Sequence, residues 1–327
     1  AVLGASGTNN VMHMAGELVL KNVEIQGQLP GGKQNEHGLL AGGGKVTAED
    51  LTISGASGSA LRNKGAEVVL KNVTVDGFGG YNAISNAYSD NEKDYGNVSI
   101  ENMTVTNAVG KTNDLILIYN ECPGTMTIVD AKLELDADDT VPKSNVNVLD
   151  GNVTLRNVTF GKTHSNNVRV DGGLLNLENI VIPGHVEGSP ENVHGLYTPG
   201  GEVIAKDLTI TGTTGAGLRN TAGKVTVENL KIENVGSHTL YISGGETKLT
   251  NATIGKTCTN NVALHDGKLT LVNAEILGHV QTAPSDAHAI FVYGGALELD
   301  TVTITGTTGS ASRVKAGTAN AKNLTLD

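Results

Sequence analysis

Arg169, Tyr197, Arg219, Tyr241, Ala263, Phe291 and Arg313 fall at one equivalent position in successive repeats of this 327-residue chain. From Arg169 onward, cation and aromatic alternate almost without a break. Neighbours one strand spacing apart stack as cation–π pairs, each contributing about 0.5–1 kcal/mol when exposed. Aromatic rings also stack on sugar faces, and the arginine fork pairs with carboxylate or sulfate. The same column earlier in the chain reads Met12, Leu40, Arg62 and Asn147, without that alternation.

A second set of residues suggests catalysis. Asp150 and Asp171 lie one repeat apart, near Arg169, with Glu121 one repeat earlier. Two carboxyls about 5 Å apart are the geometry of retaining glycoside hydrolysis. Against this, Asp150-Gly151, Asp171-Gly172 and Asp266-Gly267 fill the bend after a strand, where Asp-Gly is ordinary turn chemistry. The histidines gather in long turns: His185 with His194, His279 with His288, and His37. Their nearest carboxylates, Glu187, Glu191 and Asp286, have no fixed ligand spacing, so no metal site is expected. No phosphate-cradling loop, Gly-x-Ser-x-Gly or CxxC is present, and no cofactor is expected.

These residues depend on a recurring template for their positions. Glu17-Leu-Val-Leu-Lys-Asn-Val-Glu-Ile25 returns as EVVLKNVTV from Glu67, NVTLRNVTF from Asn152, EVIAKDLTI from Glu202 and KVTVENLKI from Lys224. The second, fourth, seventh and ninth positions are apolar, which puts them on one side of two short period-2 strands. The sixth position is the anchor: Asn22, Asp50, Asn72, Asn102, Asp130, Asn157, Asn179, Asp207, Asn229, Asn251, Asn273, Thr301 and Asn323. A bend that keeps the same face buried calls for a left-handed residue, which Asn and Asp tolerate best after Gly. Stacked coils should align these amides in a ladder. At the fifth position Lys21, Glu49, Lys71 and Glu101 alternate in charge, which favours register. The eighth position is mostly Thr. A longer module also repeats, with Gly161-Lys-Thr163 returning as Gly255-Lys-Thr257 and Gly184-His-Val186 as Gly278-His-Val280. Residues 1 to about 76 fit it too, pairing His37 with His194 and Arg62 with Arg219.

A period of this length denotes a solenoid, in which chain length counts repeats. Composition agrees: with 43 Gly, no Trp and 3% aromatics, the core must be a narrow stack of Val, Ile, Leu and Ala. The net charge of −11 argues against a nucleic-acid partner. No apolar run reaches a membrane span of about 18 residues. The opening AVLGASGTNN has neither the charged nor the apolar segment of a signal peptide. Cys122 and Cys258 lie several coils apart and read as free thiols.

Three short strands per coil of about twenty-two residues, with the x-Asn bend between the second and third, resemble a right-handed parallel β-helix of the pectate-lyase-like type. The resemblance implies an all-β, right-handed, single-stranded solenoid of about 13 coils spanning residues 1–327 as one domain. Both ends fall within the array, so the chain reads as a segment of a longer surface protein. The fold serves lyases, glycosidases, tailspikes and adhesins alike. The Arg-x-Pro-x-x-Arg stretch of pectate lyases is absent, and Asp138-Asp139, Gly184-His185 and Arg313-Val-Lys315 are fragments of the polygalacturonase set without its spacing. The favoured expectation is therefore a non-catalytic adhesin or stalk, extracellular, secreted or at a bacterial surface, similar to autotransporter passengers. It would bind an extended glycan or host-surface ligand through Arg169, Tyr197, Arg219, Tyr241, Phe291 and Arg313. The alternatives are a lyase or glycosidase using Asp150, Asp171 and Arg169, and a purely structural spacer.

Overall fold

The computed structural model describes residues 1–28, 36–80, 82–88, 95–108, 115–135 and 141–327, and every regular element in them is a β-strand. The Asp138-Asp139 fragment lies outside the described residues. The chain is a parallel β-helix: each repeat supplies a short strand and a long one, and each pairs in parallel with its counterpart in the next repeat. Contacts divide the chain into two compact units, Ala1–Gly161 with Gly173–Leu175, and Lys162–Gly172 with Asn176–Asp327.

In the first unit the long strands Glu17–Gln26, Lys45–Ala56, Glu67–Phe78, Asn97–Asn107, Thr125–Leu133 and Asn152–Phe160 pair in chain order. The short strands Val11–His13, Leu39–Ala41, Leu61–Asn63, Asn82–Asn86, Ile116–Asn120 and Ser144–Val148 form the second ladder. In the second unit the short strands run from Val168–Val170 through Leu196–Thr198, Leu218–Asn220, Leu240–Ile242, Val262–Leu264 and Ile290–Val292 to Ser312–Val314. Its long strands include Glu202–Thr211, Lys224–Glu233, Glu246–Ile254, Lys268–Ile276, Ala296–Ile304 and Thr318–Leu326.

The two template strands merge into one bent strand. Lys21 pairs with Glu49 and Val23 with Leu51, while the anchors Asn22 and Asp50 between them are skipped. All thirteen anchors have φ between 51° and 59°, so one left-handed residue turns the strand without breaking the ladder on either side. Their amides link as expected: Asn72 donates to Asp50 at 2.8 Å, Asn102 to Asn72 at 2.9 Å, and Asn157 to Asp130 at 2.7 Å. In the second unit Asn229 donates to Asp207, Asn251 to Asn229 and Asn273 to Asn251 at 2.7–3.0 Å. Thr301 holds the same conformation at φ 57°.

The alternation predicted for the core is present. Val225, Val227, Leu230 and Ile232 are buried, as are Val68, Leu70, Val73 and Val75. Each fully buried side chain of this size contributes about 1.5–3 kcal/mol relative to exposure. The charge columns pair across coils, Lys21 with Glu49 at 3.1 Å, Lys71 with Glu101 at 3.5 Å and Lys224 with Glu202 at 2.7 Å. Exposed pairs such as these favour register more than stability.

Candidate functional site

On the short strands Val168–Val170, Leu196–Thr198, Leu218–Asn220, Leu240–Ile242 and Ile290–Val292 the middle residue is part-exposed between two buried neighbours. In Leu218–Asn220, Leu218 and Asn220 are buried and Arg219 is half-buried. Parallel pairing puts Arg219 beside Tyr197 on one side and Tyr241 on the other, then Tyr241 beside Ala263, Ala263 beside Phe291, and Phe291 beside Arg313. Arg169 pairs with Tyr197 at the other end. The binding residues expected from the sequence therefore form one outward column in the second unit.

Their contacts are direct. The Arg219 guanidinium carbon lies 5.5 Å from the Tyr197 ring centre and 5.0 Å from that of Tyr241. Arg169 lies 5.5 Å from Tyr197, and Arg313 lies 5.2 Å from Phe291. The gap that Ala263 leaves is filled by two residues the sequence reading missed. His265 stacks on Tyr293 at 4.2 Å and 8°, Tyr241 meets His265 at 4.9 Å, and Tyr293 stacks on Phe291 at 3.8 Å. His265 and Tyr293 occupy the first position of the bend, where Thr221 and Ser243 stand in other coils. An aromatic residue two places after the column was the available signal.

Glycine makes that stack possible. Gly267 and Gly295 follow these rings with φ of 79° and 77°. A Cβ on Gly267 would sit 2.4 Å from the Gly245 carbonyl oxygen, and one on Gly295 would sit 2.6 Å from that of Gly267. Only glycine lets successive bends approach this closely.

The carboxylates are already engaged. Asp171 holds Arg169 in a bidentate pair, with Nε at 2.7 Å and Nη2 at 2.6 Å, and that pairing pushes the guanidinium pKa up. Asp150 accepts the Gly151 N–H at 2.7 Å and the Tyr88 hydroxyl at 3.4 Å. Asp266 caps Gly267 in the same way. These are bend and pairing roles.

Arg62 of the first unit faces Glu121 at 3.9 Å. Among the described residues no carboxylate lies within 4.0 Å of Arg219 or Arg313. A cleft of about 250 Å³ beside Arg313 is lined by Cys258, Asp286, His288, Phe291 and Tyr293, among others.

The long-turn histidines are buried. Nδ1 of His37, His194 and His288 accepts the backbone N–H of Ser59, Ala216 and Ser310 at 3.0–3.1 Å. Burial, reinforced by Arg219, pulls the His194 pKa down to about 3. Burial and then Arg62 bring His37 to about 4, and burial brings His185 to about 4. Among the described residues no three His, Cys, Asp or Glu side chains converge as a metal-ligand set. Cys122 and Cys258 are free thiols. No described helix is long and apolar enough to cross a membrane. Comparisons with protein-family models, with curated proteins and with solved structures find no match.

Proposed function

We propose that the short-strand face of the second unit binds an extended glycan and that the chain acts as a non-catalytic adhesin or stalk at a bacterial surface. The carrying observation is Arg219: its guanidinium is held between Tyr197 and Tyr241, and among the described residues no carboxylate lies within ion-pair reach of it. Flat rings suit sugar faces, and a preorganised arginine suits an acidic substituent. The resemblance to pectate-lyase-like β-helices and to passenger-type adhesins points the same way. The engagement of Asp171 by Arg169 and of Asp150 by Gly151 weighs against the lyase or glycosidase reading.

A glycan array with the intact chain tests this. Binding should appear on one glycan class, and Arg219→Ala and Tyr241→Ala should each weaken it. No binding to any glycan would leave the spacer role, and release of unsaturated or reducing sugar from pectin, alginate or glycosaminoglycan would establish an enzyme instead.

A further inference from the structure

The turn histidines and column arginines meet in pairs whose hydrogen bonds do not balance. His194 Nδ1 lies 3.0 Å from the Ala216 N–H, and Nε2 lies 3.0 Å from Nη1 of Arg219. His288 repeats this 94 residues on, with Ser310 N–H at 3.1 Å and Arg313 Nη1 at 3.4 Å. Arginine only donates, and a neutral imidazole offers one acceptor and one N–H. Each ring therefore faces two donors with one lone pair. With Nδ1 taken by the backbone, the ring proton sits on Nε2 and points at another donor. Nε of Arg219 is also buried without a partner. Burial and then the neighbouring guanidinium lower the pKa of both rings, with Asp286 opposing the shift at His288. At 6% and 5% exposed, neither ring can turn to solvent for relief.

The first unit shows what such a module accommodates. There the Arg62 guanidinium faces the Glu121 carboxylate at 3.9 Å, while His37 Nδ1 accepts the Ser59 N–H. Among the described residues no carboxylate lies within 4.0 Å of Arg219 or Arg313.

We propose that His194–Arg219 and His288–Arg313 are two subsites for acidic substituents, carboxylate or sulfate, of one polysaccharide chain. An anionic oxygen at either pair accepts the Nε2–H and a guanidinium N–H together and removes the donor excess. Four strand steps separate Arg219 from Arg313, through Tyr241, Ala263 and Phe291. At about 4.8 Å per step that is about 19 Å. The ladder of Tyr241, His265, Tyr293 and Phe291 between them offers ring faces to the intervening sugars. The inference rests on the glycan-binding reading and adds to it a charge class and a length requirement.

The test is calorimetric titration of the intact chain with oligogalacturonates of defined length, with size-matched heparin fragments for sulfate and with cello-oligosaccharides as the neutral control. Affinity for an acidic series should step up about tenfold or more at the length that first reaches both pairs, as expected when a second contact becomes intramolecular. Arg219→Met and Arg313→Met should each abolish the step while leaving short-oligomer binding through the other pair, and circular dichroism should show both variants folded. Equal affinity for neutral and acidic oligomers would overturn the subsites and leave glycan binding standing. A smooth rise with length, unchanged in either variant, would do the same. Absence of binding to all three series would overturn both readings.

Discussion

The two units use the same coil in opposite ways. In the first, the inward residue that ends three successive short strands is an amide: Asn63, Asn86 and Asn120 are fully buried and bond in series, Asn63 Nδ2 to Asn86 at 3.0 Å and Asn86 Nδ2 to Asn120 at 2.9 Å. In the second, the same column reads Thr198, Asn220, Ile242, Leu264 and Val292, mostly apolar. Outward, the relation reverses. The first unit has Arg62, a buried Ser85, Tyr119 and Asn147 in that column, and Arg62 is matched to Glu121. The second shows the cation–aromatic ladder, in which no described carboxylate pairs with Arg219 or Arg313. One unit places its polar specificity inside, where it determines how coils stack, and the other places it outside, where a ligand can meet it. The backbone tolerates both because the long strands from Lys45–Ala56 to Ala296–Ile304 each bury an apolar stripe of their own.

The largest expected effect lies in the first unit's interior. Asn86→Ala leaves the Asn120 oxygen without its donor and removes an acceptor from Asn63. Urea denaturation should show a loss of about 2–4 kcal/mol. A loss below about 1 kcal/mol would mean that the inner ladder does not hold that unit together.

Acid should separate the units next. His37 is the turn histidine buried in the first unit, whereas His185, His194, His279 and His288 are buried in the second. Their folded pKa values lie below the ordinary value near 6.5, at about 4 for His37 and His185 and about 3 for His194. The unfolded chain therefore binds the extra protons, and stability falls as pH drops below about 6.5 toward 4 to 3. Hydrogen exchange at pH 7 and pH 4.5 should find that backbone amides of the second unit lose protection first. Simultaneous loss in both units would remove this distinction.

On the outward face, Arg219→Met should weaken acidic-glycan binding about tenfold, equivalent to about 1.4 kcal/mol. Arg62→Met, which breaks an internal pair, should leave it unchanged. Equal losses would assign the binding to general positive charge. The smallest change is a gain. Thr301 is a β-branched residue in a left-handed conformation, and Thr301→Asn should relieve that strain and give Asn273 a donor, raising stability by about 1 kcal/mol. An unchanged melting temperature would show that the outer ladder contributes nothing at this coil.

Much of this was legible in the residues. The four apolar template positions and the Asn or Asp between them specify both the buried stripe and the left-handed bend, because side-chain alternation and αL tolerance are local properties. The column from Arg169 to Arg313 was legible for the same reason, since parallel pairing without slip turns equal spacing into adjacency. The inner amides Asn63, Asn86 and Asn120 were not, because the divergent coils between Asn82 and Lys143 hide their alignment. His265 and Tyr293 escaped because they enter the ladder from the bend, where glycine lets successive turns close up. The pairing of Arg169 with Asp171 was likewise hidden, since it depends on the side chains folding back across two residues.

The anchor ladder has one more consequence. Its hydrogen bonds all run one way, from the amide of a later coil to the oxygen of an earlier one. Aspartate has no amide to donate, so it stands only at the head of a run: Asp50 before Asn72 and Asn102, Asp130 before Asn157, Asp207 before Asn229, Asn251 and Asn273. Each run is then a row of aligned dipoles with a full negative charge at its first member, and each amide in the row polarises the next. The edge of the coil stack therefore carries an electrical direction, written by where Asp replaces Asn, and every Asp both opens one row and ends the row before it.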